Sequence, residues 1–433
     1  MIAHLSPSLH VLVVGGGPAG ATAARALAQA GVRVRLLDRA AFPRNKPCGG
    51  GISARALTRF PYLERELAGI ATHGVSRLCL EGPDGDAALI ESDGPAALMI
   101  RRVEFDALLV SMARAAGAEV VGGADVVHAT ETDDCVQLTT RDGRRFDAPI
   151  VIAADGVHSV VARRLGLNTG WPASAVALDM MEETPRTALR DHDPSTLWFA
   201  YGYEPNPQSP IRNTPRGYAY IFPKRDYVNI GIGYLLSHYR ESIGMTPYEL
   251  QRAFIDRLRE RGLVEGDSVR SNFTPFLIPV GGPLPRPGRG RVLLAGDAGG
   301  FVNAFTAEGI YYAMVSGELA ARAVLAGRGD VRGLARRYRK ACDYEIGMEL
   351  RDSVAIQRFL FGDRRRIARV IDGARREPAV AKLVLDCAAG RRPYRDVRRR
   401  LLARFPTLIG RLAWDWLGRL GRKKTIVERR AAL

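Results

Sequence analysis

Apolar residues fall in short unbroken runs separated by glycine-rich turns, the pattern of strands buried on both faces that alternate with helices. The first run, residues 11–14, predicts a parallel strand, followed by a helix over about 18–30 and a second strand over 32–37. A loop and a helix fill the stretch to residue 75. From about 75 to 100 the pattern becomes short alternating strands, with turns at Gly82-Pro83 and Asp84-Gly85. A helical period returns over 102–116, where Phe105, Leu108, Leu109 and Met112 share one face. Residues 119–125, 135–140 and 146–154 read as strands, the last two joined by the hairpin turn Arg141-Asp142-Gly143. From about 171 to 279 the chain is strand-rich and aromatic, with one helix near 247–260. A strand at 292–295 and a long helix over about 308–325 follow, and residues 331–433 read as helical and basic.

This order predicts an α/β protein: a Rossmann-type nucleotide-binding domain of the glutathione-reductase-like kind, with an inserted α+β substrate domain and a C-terminal helical region. The first domain is expected over 9–75, 96–170 and 288–330, and the inserted one over 76–95 and 171–287. Residues 331–433 form the third part.

Three glycine-rich segments carry the candidate chemistry. In the first, Gly15 permits a tight turn, Gly17 lets the backbone approach a pyrophosphate, and Gly20 lets helix pack on strand. Pro18 and Ala19 open the helix, whose N-terminus favours negative charge. Asp38 ends the second strand, eighteen residues after Gly20, where a carboxylate can accept both hydroxyls of a ribose, and Arg39 adjoins it. The second segment closes a strand with Asp155-Gly156, a pair that also suits a plain turn. The third is a buried strand followed by Gly296-Asp297, where Asp297 also reads as a helix cap. A lone Gly-x-Gly-x-x-Gly is unspecific, but all three in this order point to an enzyme that holds one extended FAD.

Charge narrows the partners. The 433 residues carry a net charge of +17, which favours anionic partners. No nucleic-acid motif is present, so nucleic acid is not expected. Near the end, Leu401, Leu402, Phe405, Leu408, Ile409, Leu412 and Trp416 recur at helical spacing among arginines. That pattern reads either as a helix docked on an anionic membrane surface or as a cap packed on the body. Five widely spaced cysteines, without metal spacing, suit a reducing cytoplasm, and no metal is expected. The N-terminus lacks a signal-peptide pattern, and no run reaches the roughly 18–20 apolar residues of a membrane span. The expected location is cytoplasmic or peripheral on the inner membrane face.

The segment Lys46-Pro47-Cys48-Gly49-Gly50-Gly51-Ile52-Ser53 resembles the flavin-covering loop of the geranylgeranyl reductase family. So do Gly296-Asp297-Ala298-Gly299-Gly300-Phe301-Val302-Asn303, the continuation Glu308-Gly309-Ile310-Tyr311-Tyr312-Ala313, and Tyr218-Ala219-Tyr220-Ile221-Phe222-Pro223-Lys224. The likeness covers roughly residues 9–330 and departs from the family at Ala304 and Ala307, where proline and glycine are common. It implies an FAD enzyme built like the aromatic hydroxylases. It sets Asp297 against the ribityl chain, Asp155-Gly156 near the pyrophosphate and ribose, and Arg102, rather than adjacent Arg101, against the cofactor. Cys48, Gly49, Gly50, Gly51, Gly309 and Ile310 join this cofactor set, and Cys48, Tyr218 and Tyr220 are the catalytic candidates. Cys48 reads both as a group that steers substrate or a proton and as packing among glycines. Tyr218, Tyr220 and Phe222 share one strand face and read either as the wall of an isoprenoid pocket or as core aromatics. The implied reaction is reduction of carbon–carbon double bonds in a geranylgeranyl-type chain, on a prenylated lipid or isoprenoid, with NADPH, NADH or ferredoxin as electron source. The alternative is a flavin monooxygenase or halogenase acting on an aromatic or polyketide-like metabolite, and a third reading is a prenyl-binding carrier without turnover.

Overall fold

The computed structural model describes residues 10–92, 94–203 and 217–377, with 381, 382 and 386 beyond them. The apolar and arginine-rich stretch at 401–416 lies outside these residues, as does its membrane reading.

Strand His10–Val14 lies between Arg33–Leu37 and Ile150–Ala153, parallel to both, with Val292–Leu294 parallel beyond the latter. Alternate residues of the first strand face opposite ways. Val11 and Val13 pack with helices Pro18–Gln29, Arg102–Ala115 and Ile310–Ala326, while Leu12 and Val14 pack toward an antiparallel sheet of Val126–Glu131, Val136–Thr140 and Arg145–Ala148. Both faces are therefore covered, as an unbroken apolar strand requires. Strand Val126–Glu131 was not foreseen, because its alternation is weak, with only Val126 and Ala129 buried.

A seven-stranded sheet forms the second layer. Its order is Phe273–Pro279, Val176–Pro185, Tyr227–Leu235, Gly217–Pro223, Thr196–Tyr201, Arg77–Glu81 and Ala87–Glu91. The helix Pro247–Glu260 starts at a capping box, Thr246 with Glu249, and buries Leu250, Phe254, Ile255 and Leu258. These meet Ala219, Ile221, Val228, Ile230 and Ile232 on one sheet face. A short helix, Leu236–Ser242, was not foreseen, because its N-cap is Leu235 and no polar cap announces it.

The described C-terminal helices pack on the body. Helix Leu334–Cys342 buries Leu334, Tyr338 and Cys342 in the core of the first layer. Helix Arg364–Arg376 buries Ile367, Ile371 and Ala374 against Leu78, Leu80 and Ile90 of the second sheet. The spacing of these apolar positions is that of one helix face, hidden in the sequence by dense arginine. The outward arginines pair locally, Arg364 with Asp84 at 2.8 Å and Arg375 with Asp86 at 2.6 Å.

The buried hydroxyl of Tyr338 donates to the carbonyl of Leu294 at 2.8 Å. Tyr338→Phe leaves that carbonyl short of a partner and is expected to lower stability by about 1–2 kcal/mol. Urea unfolding of the two proteins measures it, and an unchanged midpoint would refute the docking of this helix.

Candidate functional site

One cavity of about 1040 Å³ runs from the first glycine segment to the C-terminal helices. Gly15, Gly17, Pro18, Ala19, Asp38, Arg39, Asp155, Gly156, Gly296, Asp297, Gly309 and Ile310 line one part of it. Cys48, Gly49, Gly50, Gly51, Arg102, Tyr218 and Tyr220 line it too. Gly20 stands behind this surface: a Cβ there would lie 1.8 Å from the carbonyl oxygen of Gly15, so its role is close packing of helix on turn.

The cradle is built by chain geometry. The backbone N–H of Gly16 donates to Asp38 Oδ2 at 2.7 Å, and Ala40 donates to Oδ1 at 2.9 Å, which fixes the carboxylate at the strand end. A Cβ on Gly17 would lie 3.9 Å from both Arg102 Nη2 and Arg44 Nη2, so two guanidinium groups converge on this turn. Arg102 is buried and bonds Asp106 at 2.6 and 2.8 Å, and Arg44 reaches the same carboxylate at 3.1 Å. The Asp106 carboxylate thus holds both guanidiniums in place, Arg44 also lies 3.7 Å from Asp38 Oδ1, and Arg39 and Lys46 line the same part of the cavity. Burial, and then the charge of Arg102, push the Lys46 ammonium down from its ordinary value. Arg101 turns away, donating to Glu183 at 2.8 Å and lying 3.6 Å over the ring of Tyr227. Arg44 and Lys46 had no role in the sequence reading, since nothing local marks which surface loop folds back over a glycine turn.

Asp155 accepts from the N–H of Val161 at 3.2 Å through Oδ2, while its Oδ1 is buried without a partner. Burial pushes this carboxyl up. The turn Gly296–Gly299 begins without a side-chain cap, and Asp297 lines the cavity within the field of Lys46. These residues fit FAD: a bare-backbone cradle, an anion-attracting lining and an orphaned buried oxygen are what a pyrophosphate with polyol arms requires.

The loop at 46–51 crosses the cavity between the two sheets. A Cβ on Gly50, whose φ is +78°, would lie 2.1 Å from the Ile100 carbonyl, and one on Gly49 would lie 2.6 Å from the Phe222 ring. The glycine run is therefore demanded by packing on both sides. The N–H of Gly50 approaches Cys48 Sγ at 3.4 Å, and Cys48 is a free thiol.

Beyond the loop the cavity is aromatic. Tyr218 and Phe222 project into it with Phe199, Tyr201 and Phe305, and the alternate residues Ala219 and Ile221 face the helix behind. Tyr218 donates to the Thr306 carbonyl at 3.1 Å. Tyr201 and Phe305 stack with centroids 6.2 Å apart, and Phe305 meets Phe361 at 5.9 Å. Phe361, Ile367 and Ile371 line the end of the cavity. Burial pushes the phenols of Tyr201, Tyr218 and Tyr220 up, so they stay neutral.

The two departures at 304 and 307 have structural counterparts. The N–H of Ala304 donates to Ser353 Oγ at 2.9 Å, a bond proline cannot make, and Gln357 Nε2 donates to the Ala304 carbonyl at 3.0 Å. Ala307 sits at φ +55°, a left-handed conformation that glycine adopts without strain.

Residues 8–228 match the FAD binding domain family. The chain is 32% identical over 340 residues to geranylgeranyl diphosphate reductase of Oryza sativa subsp. japonica, spanning 74% of this chain and 67% of that one. It is 31% identical over 366 residues to digeranylgeranylglycerophospholipid reductase 2 of Methanothermobacter thermautotrophicus, spanning 81% and 88%. The crystal structure of a geranylgeranyl bacteriochlorophyll reductase-like protein from Thermoplasma acidophilum superposes with a TM-score of 0.72 at 21% identity, over 91% of this chain and 99% of that one.

Gly17 has φ −74° and no atom closer than 3.9 Å to an added Cβ. Gly17→Ala is therefore expected to fold as the parent does and to copurify with less FAD, read from the visible absorbance per protein. Gly20→Ala is expected to lose fold and flavin together. Full flavin content in Gly17→Ala would overturn the assignment of the cradle.

Ala307→Gly is expected to raise unfolding free energy by about 0.5–1 kcal/mol, the left-handed strain relieved less the entropy of glycine. Ala304→Pro is expected to lower it by about 1–2 kcal/mol through the lost bond to Ser353. Denaturant titration of both variants decides the sign.

Proposed function

This chain belongs to the geranylgeranyl reductase family of FAD-dependent oxidoreductases, and from that membership we propose that it reduces carbon–carbon double bonds in an isoprenoid chain. The observation that carries the reading is the continuity of the cavity, from the glycine cradle and its arginines, under the loop at Cys48, to an aromatic chamber closed by Phe361, Ile367 and Ile371. A long apolar chain suits such a chamber, and the cofactor suits the charged end.

In this reading Arg39, Arg44 and Arg102 neutralise the pyrophosphate of FAD, Asp38 accepts the adenosine ribose hydroxyls, and Asp155 and Asp297 take the remaining hydroxyls. The bound flavin, once reduced, supplies hydride to one alkene carbon. An isolated alkene is poorly activated, so the protein's part is to position it and keep water out. Phe199, Tyr201, Tyr218 and Phe222 form that wall. Cys48 and the glycines beside it form the floor between chain and cofactor. The reductant is NADPH, NADH or ferredoxin, and the substrate is a prenylated lipid or a free isoprenoid diphosphate.

The test is anaerobic. The flavin of the purified protein is reduced chemically, geranylgeranyl diphosphate or a prenylated lipid is added, and products are weighed by mass spectrometry. Gain of two hydrogens per bond, in step with flavin reoxidation, is the expected result. Reoxidation only on admitting air, with oxygen in an aromatic product, would move the enzyme to the monooxygenases.

A further inference from the structure

Asp179 lies on strand Val176–Pro185, with 6% of its surface exposed. The hydroxyl of Tyr220 donates to its Oδ2 at 3.0 Å. The two residues are on strands that do not pair, because strand Tyr227–Leu235 runs between them. Two glycines on that strand make the contact possible. A Cβ on Gly231 would lie 2.3 Å from the Tyr220 hydroxyl oxygen, and one on Gly233 would lie 3.3 Å from Asp179 Oδ1. The Tyr220 ring therefore crosses the bare backbone of the strand between.

Asp179 and Tyr220 both line the cavity, in the company of Cys48 and Tyr218. Asp179 Oδ1 is buried and has no hydrogen-bond partner. The charged and titratable groups around the pair are few. Lys46, from the loop at 46–51, acts on Asp179, and Cys48 from that loop acts on Tyr220. Tyr218 is the titratable neighbour on the strand of Tyr220. On the outer side Asp179 pairs in register with Phe276, which is apolar. Burial pushes Asp179 up to about 7, against the lowering effect first of the Tyr220 hydrogen bond and then of Lys46. The same burial, with Asp179 beside it, holds the Tyr220 phenol well above its ordinary value.

We propose that Asp179 and Tyr220 supply the proton of the reduction, Asp179 storing it and Tyr220 passing it into the cavity. This rests on the reading of the reaction given above. With Asp179 protonated, Oδ2–H donates to the Tyr220 oxygen, and the Tyr220 O–H is released toward the substrate. Hydride from reduced flavin forms one new C–H bond, oxidising the flavin by two electrons. The alkene π pair takes the proton of Tyr220 to form the other. The proton of Asp179 moves to the Tyr220 oxygen, leaving a carboxylate that solvent reprotonates. Atoms and charge balance: alkene, hydride and proton become alkane, and the acid becomes its anion.

The test uses the FAD-loaded protein and two near-isosteric variants, Asp179→Asn and Tyr220→Phe. Infrared spectra across pH are expected to show a protonated-carboxyl band that disappears as pH rises through about 7. Asp179→Asn should lack the band, and Tyr220→Phe should shift it. In single turnovers with geranylgeranyl diphosphate, reoxidation of the reduced flavin in the parent should slow as pH rises through the same range. Tyr220→Phe should be slower by about 100-fold at unchanged flavin content. Asp179→Asn should be slow and indifferent to pH there. A carboxyl already ionised well below this range, or variants with the parent's rate and pH profile, would overturn the proposal. If the parent's flavin is reoxidised by no prenyl alkene, the functional reading falls and the destination of the proton with it. A band lost in Asp179→Asn would still support the stored proton itself.

Discussion

The ammonium of Lys224 is 2% exposed and lies between the Glu183 carboxylate and the carbonyl of Cys48, the latter at 3.4 Å. A charge cannot be buried alone, and removing one partner of such a pair costs about 3–5 kcal/mol. The ammonium therefore ties the seven-stranded sheet to the loop at 46–51. Asn229 adds a second bond to the same carbonyl, and Glu183 also holds Arg101. Because the loop is pinned from the sheet side by these groups and from the other by the Ile100 carbonyl against Gly50, the gap it spans has a fixed height. Cradle and chamber are one cavity for this reason.

The chamber depends on the two-residue repeat of one strand. Gly217–Pro223 gives its small and aliphatic residues to the helix Pro247–Glu260 and its aromatics to the cavity. The next strand repeats the division, with Val228, Ile230 and Ile232 turned to the helix, and Gly231 and Gly233 left on the cavity side. Those glycines are not looseness in the sheet. They make the space in which one aromatic ring lies across a strand and reaches a buried carboxyl.

At the far end, the same C-terminal helices close the chamber and hold the loop beside the cradle. Ser353 and Gln357 grip Ala304, and Arg55 joins Glu308 to Glu349, both at 2.6 Å. A loop that carries alanine at 304 and 307 is thus kept in shape by a neighbouring helix, at the expense of left-handed strain at one residue. Helix Met348–Leu360 sets the loop geometry, while Phe361 after it and helix Arg364–Arg376 set the end of the chamber.

The parallel strands, the glycine turn and the helix that opens at Pro18 were legible in the sequence, because strand burial and close backbone approach impose local patterns. The capped helix at Pro247–Glu260 was legible for the same reason. So was the shared face of Tyr218, Tyr220 and Phe222, a matter of the two-residue period alone. Which side of the sheet that face meets was not. It was decided by a helix packing against the opposite face. Nor could the sequence choose Arg102 over Arg101 by geometry, since the choice lies in which way the helix start is rolled. Arg44, Lys46 and the C-terminal helices reach the cavity only through folding of distant segments. Asp179 stands 41 residues before Tyr220 and bears no motif. Periodicity and glycine sterics are properties of neighbours along the chain and determine its elements. The cavity, its charge and its buried acid belong to contacts across the chain, and only the tertiary structure decides those.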